Sequence, residues 1–550
     1  MPQSSKIPIK VPPHLLPVHI SVFGYGVTSK PFVEFINSLG KTCSIYDDRF
    51  EVKSSDECGN ALLPPSAFDE GKSSLEFISP GILPTHSYFS KARNPIGEYD
   101  YAYKLMRAND FELKSIWISG TNGKTTTTQM LTHLLESFGA LCGGNIGTPL
   151  TTLALKHAQS LDFAKKDSHK NKPCQNPNNH KEKNPKKDSK KEPFWVLESS
   201  SFAMHYSHIA TPQIYLLLPL SQDHISWHSG YEGYIEDKLR VLARMGKDTC
   251  ALLPQELKSH KIVQEYIHKN HSKSDNEHAE RAIFYRDSSD LAKFLSIELD
   301  SIPFGEPFLL DALVALSGAV LAQKMGLLDF SGDFRDDSSP AYFLERLKSF
   351  HIGAHRIEEF YEPYNQNSAK SNLQWLWVDD SKGTNTDATL KAFARYKGRH
   401  IYALLGGDDK GADIEPIFAL IADGFCKKNS FVKIFAIGSN EKKILSLAQK
   451  YGIPAFACQN LKNAMKHIKS EREKDLIEFS DDFASEAKSA QPKSTQKNAE
   501  KHTKQKSKQD SKADFIASFV GLLSPAAASL DQFRSYKERG ELFKKYALES

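Results

Sequence analysis

The sequence predicts an α/β protein with doubly wound, mostly parallel sheets, and three observations carry that prediction. Apolar strand-like runs alternate with segments of helical spacing, as where "SIWISG" (115–120) leads into "KTTTTQMLTHLLESFG" with Met130, Leu131, Leu134 and Leu135 on one face. Several such runs end in glycine-rich or polar turns, where open α/β sheets place their ligands. A chain of 550 residues, 40% of them hydrophobic, is too long for one domain and suffices for two to four.

Taken in order, strands are expected at "HISVFGYG" (19–26), "SIWISG", "FWVLESS" (194–200), "QIYLLLPL" (213–220), "LQWLWVDDS" (373–381), "HIYALLGG" (400–407) and "SFVKIFAIG" (430–438). The net charge of +4 hides a strong asymmetry. Lys156 to Glu192 holds eleven Lys against five acidic residues, and Lys488 to Lys512 eight against two. Removing these two tracts, each +6, leaves −8 for the rest. Both are too poor in apolar residues to offset chain entropy, so they read as solvated insertions at about 156–192 and 480–514. Without interleaved aromatics they predict no nucleic-acid partner. The run "FLLDALVALSGAVLA" (308–322) contains Asp311 and is shorter than the roughly 20 residues that span a bilayer, so no membrane span is expected. Seven scattered cysteines without CxxC pairs read as reduced thiols of a cytoplasmic protein.

Two turns are candidate phosphate sites. "GYGVTS" (24–29) follows the first strand and is close to GxGxxG, with Asp47-Asp48 at about the spacing of a ribose-binding acid. It fits either a nucleotide at the first helix N-terminus or a bare glycine turn. The stretch Gly120, Thr121, Asn122, Gly123, Lys124, Thr125, Thr126 is more specific, because a strand precedes it and an amphipathic helix follows. Backbone N–H groups and the helix dipole there favour anionic oxygens, Lys124 would reach terminal phosphates, and the Thr125 hydroxyl could ligate Mg²⁺. ATP is therefore the expected ligand. Glu198 ends the apolar run of "VLESSS" and could hold Mg²⁺, whereas His224 and Lys238 singly read as loop and helix residues.

Together these motifs resemble the Mur ligases. "GTNGKTT", "GGNIGTPL", "LESSS", "DHISWHSGYEGYIEDKLR", "GAHRIEEF", "DDSKGTNTDAT", "LLGGDDKGAD" and "LLSPAAASLDQF" occur in that family's order, over nearly all the chain apart from the Lys-rich tracts. The resemblance implies three domains: a Rossmann-like UDP-substrate domain (1–100), a central P-loop ATPase-like domain (101–352) and a Rossmann-like C-terminal domain (353–550). It implies an ATP-dependent amide ligase that joins D-glutamate to UDP-N-acetylmuramoyl-L-alanine through an acyl phosphate, working in the cytoplasm as a monomer. Another amide-forming member, or a folylpolyglutamate synthase-like enzyme, is the alternative.

Site roles follow from the same resemblance. Val27, Thr28, Asp47, Asp48, Arg49 and Asn145 would meet the UDP substrate. Gly120 to Thr126, with Asp311, His355, Arg356 and Asp380, would bind ATP. Thr125 and Glu198 would hold one Mg²⁺, and His224 with a carbamylated Lys238 a second. Lys124, Glu198, His224, Lys238 and Lys382 would be catalytic, and Thr384, Lys410, Ser529, Leu530 and Tyr536 would surround D-glutamate. The chain departs from the family where a His-Asn pair is usual and Pro307-Phe308 stands, where Asp311 replaces an Asn, and at Ala203 in place of a Gln.

Overall fold

The computed structural model describes residues 9–88, 90–111, 113–157, 194–270, 281–328, 339–363, 374–425, 430–489 and 518–549. The chain forms two compact units, Met1–Phe350 and His351–Ser550. Among the described residues the first unit holds two six-stranded sheets and the second holds one.

The first sheet has the order β3-β4-β2-β1-β5-β6. Its strands are β1 (Ile20–Phe23), β2 (Ser44–Tyr46), β3 (Ser54–Ser55), β4 (Ala61–Leu63), β5 (Leu75–Ile78) and β6 (Pro95–Gly97). Only the β3–β4 pairing is antiparallel. Strand β1 is buried along its whole length, as expected for a parallel strand covered on both faces. Helix α1 (Ser29–Ser38) follows β1, and α2 (Glu98–Arg107) leaves β6.

The second sheet has the order β12-β11-β10-β7-β9-β8, with β7 (Ser115–Ser119), β8 (Ala140–Gly144), β9 (Phe194–Glu198), β10 (Ile214–Leu217), β11 (Cys250–Pro254) and β12 (Ala282–Tyr285). Every pairing in it is parallel. Strands β8 and β9 lie on one side of β7 and β10 to β12 on the other, so the strand order reverses at β7. Such a reversal opens a crevice at the strands' carboxyl ends. Helix α3 (Lys124–Leu135) starts from that crevice, α4 (Tyr231–Leu239) follows β10, and α5 (Phe308–Lys324) is an almost fully buried core helix against α3.

The third sheet has the order β13-β14-β18-β15-β16-β17, with β13 (Glu358–Pro363), β14 (Gln374–Asp379), β15 (His400–Gly406), β16 (Val432–Ile437), β17 (Ala455–Gln459) and β18 (Phe519–Leu523). It is parallel except at β13–β14. Helices α6 (Leu461–Ser489) and α7 (Tyr536–Leu548) belong to this unit. On α6, the buried Arg472 lies 4.3 Å from the Trp375 ring and 5.3 Å from that of Phe519, and Glu362 Oε2 accepts from it at 2.9 Å. Trp377 Nε1 donates to the same Glu362 oxygen, so one carboxylate neutralises a cation seated among aromatic faces.

Each strand expected from the sequence is present, with ends trimmed by one to three residues where turns begin. The long apolar run is a core helix, and no described helix is long and apolar enough to cross a membrane. Most of both Lys-rich tracts, from residues 158 and 490 onward, lies outside the described residues, while α6 runs to Ser489, inside the second expected insertion. Cys43, Cys58, Cys142, Cys250 and Cys458 are free thiols.

Gly521 in central strand β18 packs directly on the Trp377 ring, where an added Cβ would overlap Cε3 and Cζ3. Gly521→Ala is expected to destabilise the chain by about 1–3 kcal/mol through overpacking, read as a lowered urea midpoint at unchanged slope.

Candidate active site

The phosphate-type loop leaves β7 at Ser119 and enters α3 at Lys124. Gly123 caps the helix with φ +82°, and a Cβ there would strike Asp311 Oδ1, so neither the conformation nor the space admits a side chain. Lys124 folds back over the loop, its Nζ donating to the carbonyls of Gly120 at 2.9 Å and Thr121 at 2.7 Å. Thr121 Oγ1 accepts from Ser221 N at 2.9 Å and lies 2.9 Å from the Tyr234 hydroxyl, tying the loop to β10's exit and to α4. Asn122 and Thr125 are half-buried on the loop and Thr126 is buried beneath it. Asp311, in the first turn of α5, is buried against Gly123.

Lys238 projects from α4 onto the same loop and is 1% exposed. Its Nζ donates to Gly120 O at 2.9 Å and to Ser119 Oγ at 3.2 Å, and it sits 4.7 Å from the Tyr234 ring centre. Two lysine amines therefore converge on one carbonyl. Burial, and then the nearby Lys124 charge, hold the Lys238 amine well below its usual basicity.

Glu198 ends β9 and is 2% exposed. Asn145 Nδ2 donates to its Oε1 at 2.7 Å, while Oε2 is buried without a hydrogen-bond partner. A buried carboxylate oxygen left unpaired is costly, and a divalent cation is the kind of partner that would satisfy it. The Glu198 backbone carbonyl accepts from Asn145 N at 2.9 Å and Tyr99 OH at 3.0 Å. Asn145, expected on the substrate's sugar side, is thus hydrogen-bonded to Glu198. His224, at φ +51°, is partly exposed, with Nε2 3.5 Å from Asp223 Oδ2 and its ring edge-on to Phe202.

Asp237, beside Lys238, was not among the residues the motifs single out. Its buried carboxylate lies 2.8 Å from His205 Nδ1, 2.7 Å from His228 Nδ1 and 3.0 Å from Arg240. Burial alone would raise its pKa, but these donors outweigh it and hold the carboxyl at about 2. A signal was available: Tyr234, Asp237 and Lys238 fall at helical spacing on one buried face of α4.

At the first turn, Gly26 N donates to Ser29 Oγ at 3.1 Å, and Ser29 Oγ donates to Gly24 O, so the serine in the third motif position closes the turn itself. Asp47 accepts from Tyr25 N at 2.7 Å and from Arg49 Nε and a second guanidinium nitrogen at 2.6 and 2.8 Å. Arg49 holds that carboxyl down to about 2. Asp47 therefore fastens Arg49 to the turn, whereas Asp48 is exposed, with His86 Nε2 3.4 Å away. Val27 is exposed, and Thr28 caps α1 beside it.

In the second unit, buried His355 lies with Nδ1 2.7 Å from Asp379 Oδ2 and Nε2 3.3 Å from Glu541. Ligand atoms of His355, Glu358 and Asp379 lie within 4.8 Å of one another, but Lys544 Nζ stands 2.7 Å from Glu358 and already supplies a positive charge. Asp380 is buried and accepts from Ser524 Oγ at 2.7 Å; burial pushes its carboxyl up to about 7, with the Ser524 bond and the Arg356 charge opposing. Lys382 N donates to His355 O, and its amine lies 5.6 Å from the Tyr536 ring. The loops of Thr384, Lys410 and Ser529 are joined by backbone hydrogen bonds, Ala526 N to Gly383 O and a reciprocal pair between Asp408 and Ala528. Lys410 and Leu530 are exposed on these loops and Ser529 is buried.

Residues 118–315 match the Mur ligase middle domain. The chain is 36% identical over 525 residues to the UDP-N-acetylmuramoylalanine–D-glutamate ligase of Campylobacter jejuni (strain RM1221), covering 96% of this chain and 98% of the relative. It is 35% identical over 529 residues to the ligase of the same name from Helicobacter pylori (strain J99 / ATCC 700824), covering 96% and 99%. Among solved structures, MurF from Acinetobacter baumannii aligns with 96% of this chain and 90% of its own, at 13% identity and a TM-score of 0.46. On near-full-length identity of this order to two sets of named ligases, with the phosphate loop, Glu198 and Lys238 gathered at one strand crevice, the chain belongs to the Mur ligase family.

Proposed function

We propose that the protein is an ATP-dependent ligase that joins D-glutamate to UDP-N-acetylmuramoyl-L-alanine in cytoplasmic peptidoglycan precursor synthesis, acting as a monomer. The near-full-length identity to ligases of that name carries the reading. A carboxylate is a poor acyl donor, so the terminal phosphoryl of ATP is first transferred to the alanine carboxylate, giving an acyl phosphate and ADP. The amine of D-glutamate then attacks the acyl carbon; the C–N bond forms, the nitrogen gives up its surplus protons, and the C–O bond to phosphate breaks.

Each residue has a part. The loop from Gly120 to Thr126 binds the phosphates through its backbone and Lys124, and it excludes water from the transferred group. In the second unit Lys382, Arg356 and Asp380 contact ATP or the phosphoryl group, while Thr384, Lys410, Ser529, Leu530 and Tyr536 receive D-glutamate. Val27, Thr28, Asp48 and Arg49 take the uridine diphosphate, with Asp47 orienting Arg49. Thr125 and Glu198 would hold one Mg²⁺, and His224 with carbamylated Lys238 the other. Magnesium would neutralise the phosphate charge that builds up during transfer. The partnerless Glu198 Oε2 fits this role. So does Lys238, because a buried amine held away from its charged form is the one that can react with CO₂, and the product is an anionic oxygen ligand.

Three outcomes are expected. ADP release from ATP and UDP-N-acetylmuramoyl-L-alanine should require D-glutamate, with meso-diaminopimelate, L-lysine and L-alanine inactive; release with another acceptor alone would overturn the assignment. Lys238→Ala should lose at least about 100-fold in turnover and regain part of it with added short-chain carboxylates. For Asp47 the folded-state pKa of about 2 lies below the usual 3.8, so its stabilisation is present above pH 4 and lost as pH falls through 2. Arg49 is 64% exposed, so the contribution is discounted to about 1 kcal/mol. The urea-stability gap between wild type and Asp47→Asn should be near that value at pH 7 and narrow between pH 4 and pH 2.

A further inference from the structure

We propose that Asp237 is a positioning residue, a buried clamp that fixes the three chain segments carrying Glu198, His224 and Lys238. This rests on the ligase reading above, in which those three residues are metal ligands.

The segments arrive from different places. Glu198 ends β9, and three residues later Ser201 opens the short helix Ser201–His205. His224 begins the loop that includes His228, whose N–H donates to His224 O at 3.3 Å. Lys238 follows Asp237 directly on α4. No backbone ladder joins all three, yet each sends a side chain to one carboxylate. His205 Nδ1 reaches both Asp237 oxygens at 2.8 and 2.9 Å, and His228 Nδ1 reaches Oδ2 at 2.7 Å. Arg240, just past the C-terminal end of α4, lies 3.0 Å from Oδ1 and also donates to His205 O at 3.0 Å, closing a ring of contacts.

The clamp extends back toward Glu198. His228 Nε2 lies 3.0 Å from Ser201 Oγ, so with Nδ1–H donated to Asp237 the ring links the serine hydroxyl to the carboxylate. Phe202 stacks on the His228 ring at 5.4 Å and stands edge-on to His224 at 4.7 Å, so the ring contacts follow the same path as the hydrogen bonds. Asp237 is 4% exposed and the His228 side chain is fully buried, so water does not compete for the bond between them. An Asn at 237 keeps the shape but offers one acceptor oxygen and a donor group, too few acceptors for two imidazoles and a guanidinium.

The test uses the full-length chain with Mn²⁺ as the metal probe, followed by electron paramagnetic resonance. ¹³C-bicarbonate reports the lysine carbamate by NMR. Asp237→Asn should weaken Mn²⁺ binding roughly 10- to 100-fold and diminish the carbamate signal. Glu76→Gln provides the comparison, since Glu76 is a buried carboxylate of the first sheet that accepts from Arg93 N and Asn94 N. It should lose thermal stability yet keep both signals. Equal Mn²⁺ affinity and carbamate occupancy in Asp237→Asn and wild type would overturn the clamp. If Asp237→Asn does not fold, Ser201→Ala removes only the outermost hydrogen bond; a several-fold weaker Mn²⁺ affinity supports the clamp and an unchanged one overturns it. A wild-type chain with neither signal would overturn the metal reading itself, which distinguishes that failure from failure of the clamp alone.

Discussion

A lysine amine held dry against a backbone carbonyl is the constraint on which the central site depends. Desolvating an ammonium costs several kcal/mol unless it is paired, and Lys238 faces a second lysine at the same acceptor. The fold accommodates this by weakening the charge, not by pairing it with a carboxylate. That choice dictates much of the surroundings. The loop must bring Gly120 O into reach of both amines, α4 must stand close enough for Tyr234 to meet Thr121, and the Tyr215 hydroxyl must hold the Lys238 carbonyl at 2.8 Å.

The second unit handles buried charge differently. Arg539 spends its guanidinium on Ser381 and on the Ala527 carbonyl, Arg472 meets Glu362 among aromatic faces, and His355 stands between two carboxylates. These contacts tie separate segments of the unit together. Asp380 is the contrast: its buried carboxylate accepts from the Ser524 hydroxyl and the Ile357 N–H, and burial still pushes it up against the opposing Arg356 charge.

Much of this was legible in the sequence. Parallel strands covered on both faces appear as unbroken apolar runs, so β1, β7, β9 and β15 could be read directly, and glycines beside a lysine at a helix start advertise an anion site. Resemblance carried the rest of the candidate list, including His224 and Lys238, which read singly as ordinary loop and helix residues. Position alone could not say that Asn145 spends its amide on Glu198, or that Asp47 is occupied by Arg49, because both depend on which donor reaches a carboxylate first in three dimensions. The Asp237 contacts escaped for a different reason. His205, His228 and Asp237 share no period, and what joins them is a convergence of three segments that only folding creates.

The Tyr99 hydroxyl has a wider consequence. It sits on α2, leaving the first sheet, and donates to the carbonyl of Glu198 in the second, with its ring edge-on to Trp117 of β7. The first and second sheets are thus linked at the Glu198 carbonyl by this phenol, beside other bonds across the same seam, such as Glu98 accepting from Leu150 N and Asp100 accepting from the His208, Ile209 and Ala210 N–H groups. Anyone grafting a different N-terminal module onto this enzyme to change its sugar-nucleotide preference would have to carry that phenol across the seam. A chimera that omitted it would remove one of the two donors at the Glu198 carbonyl, leaving the Asn145 N–H, and would open space beside Trp117.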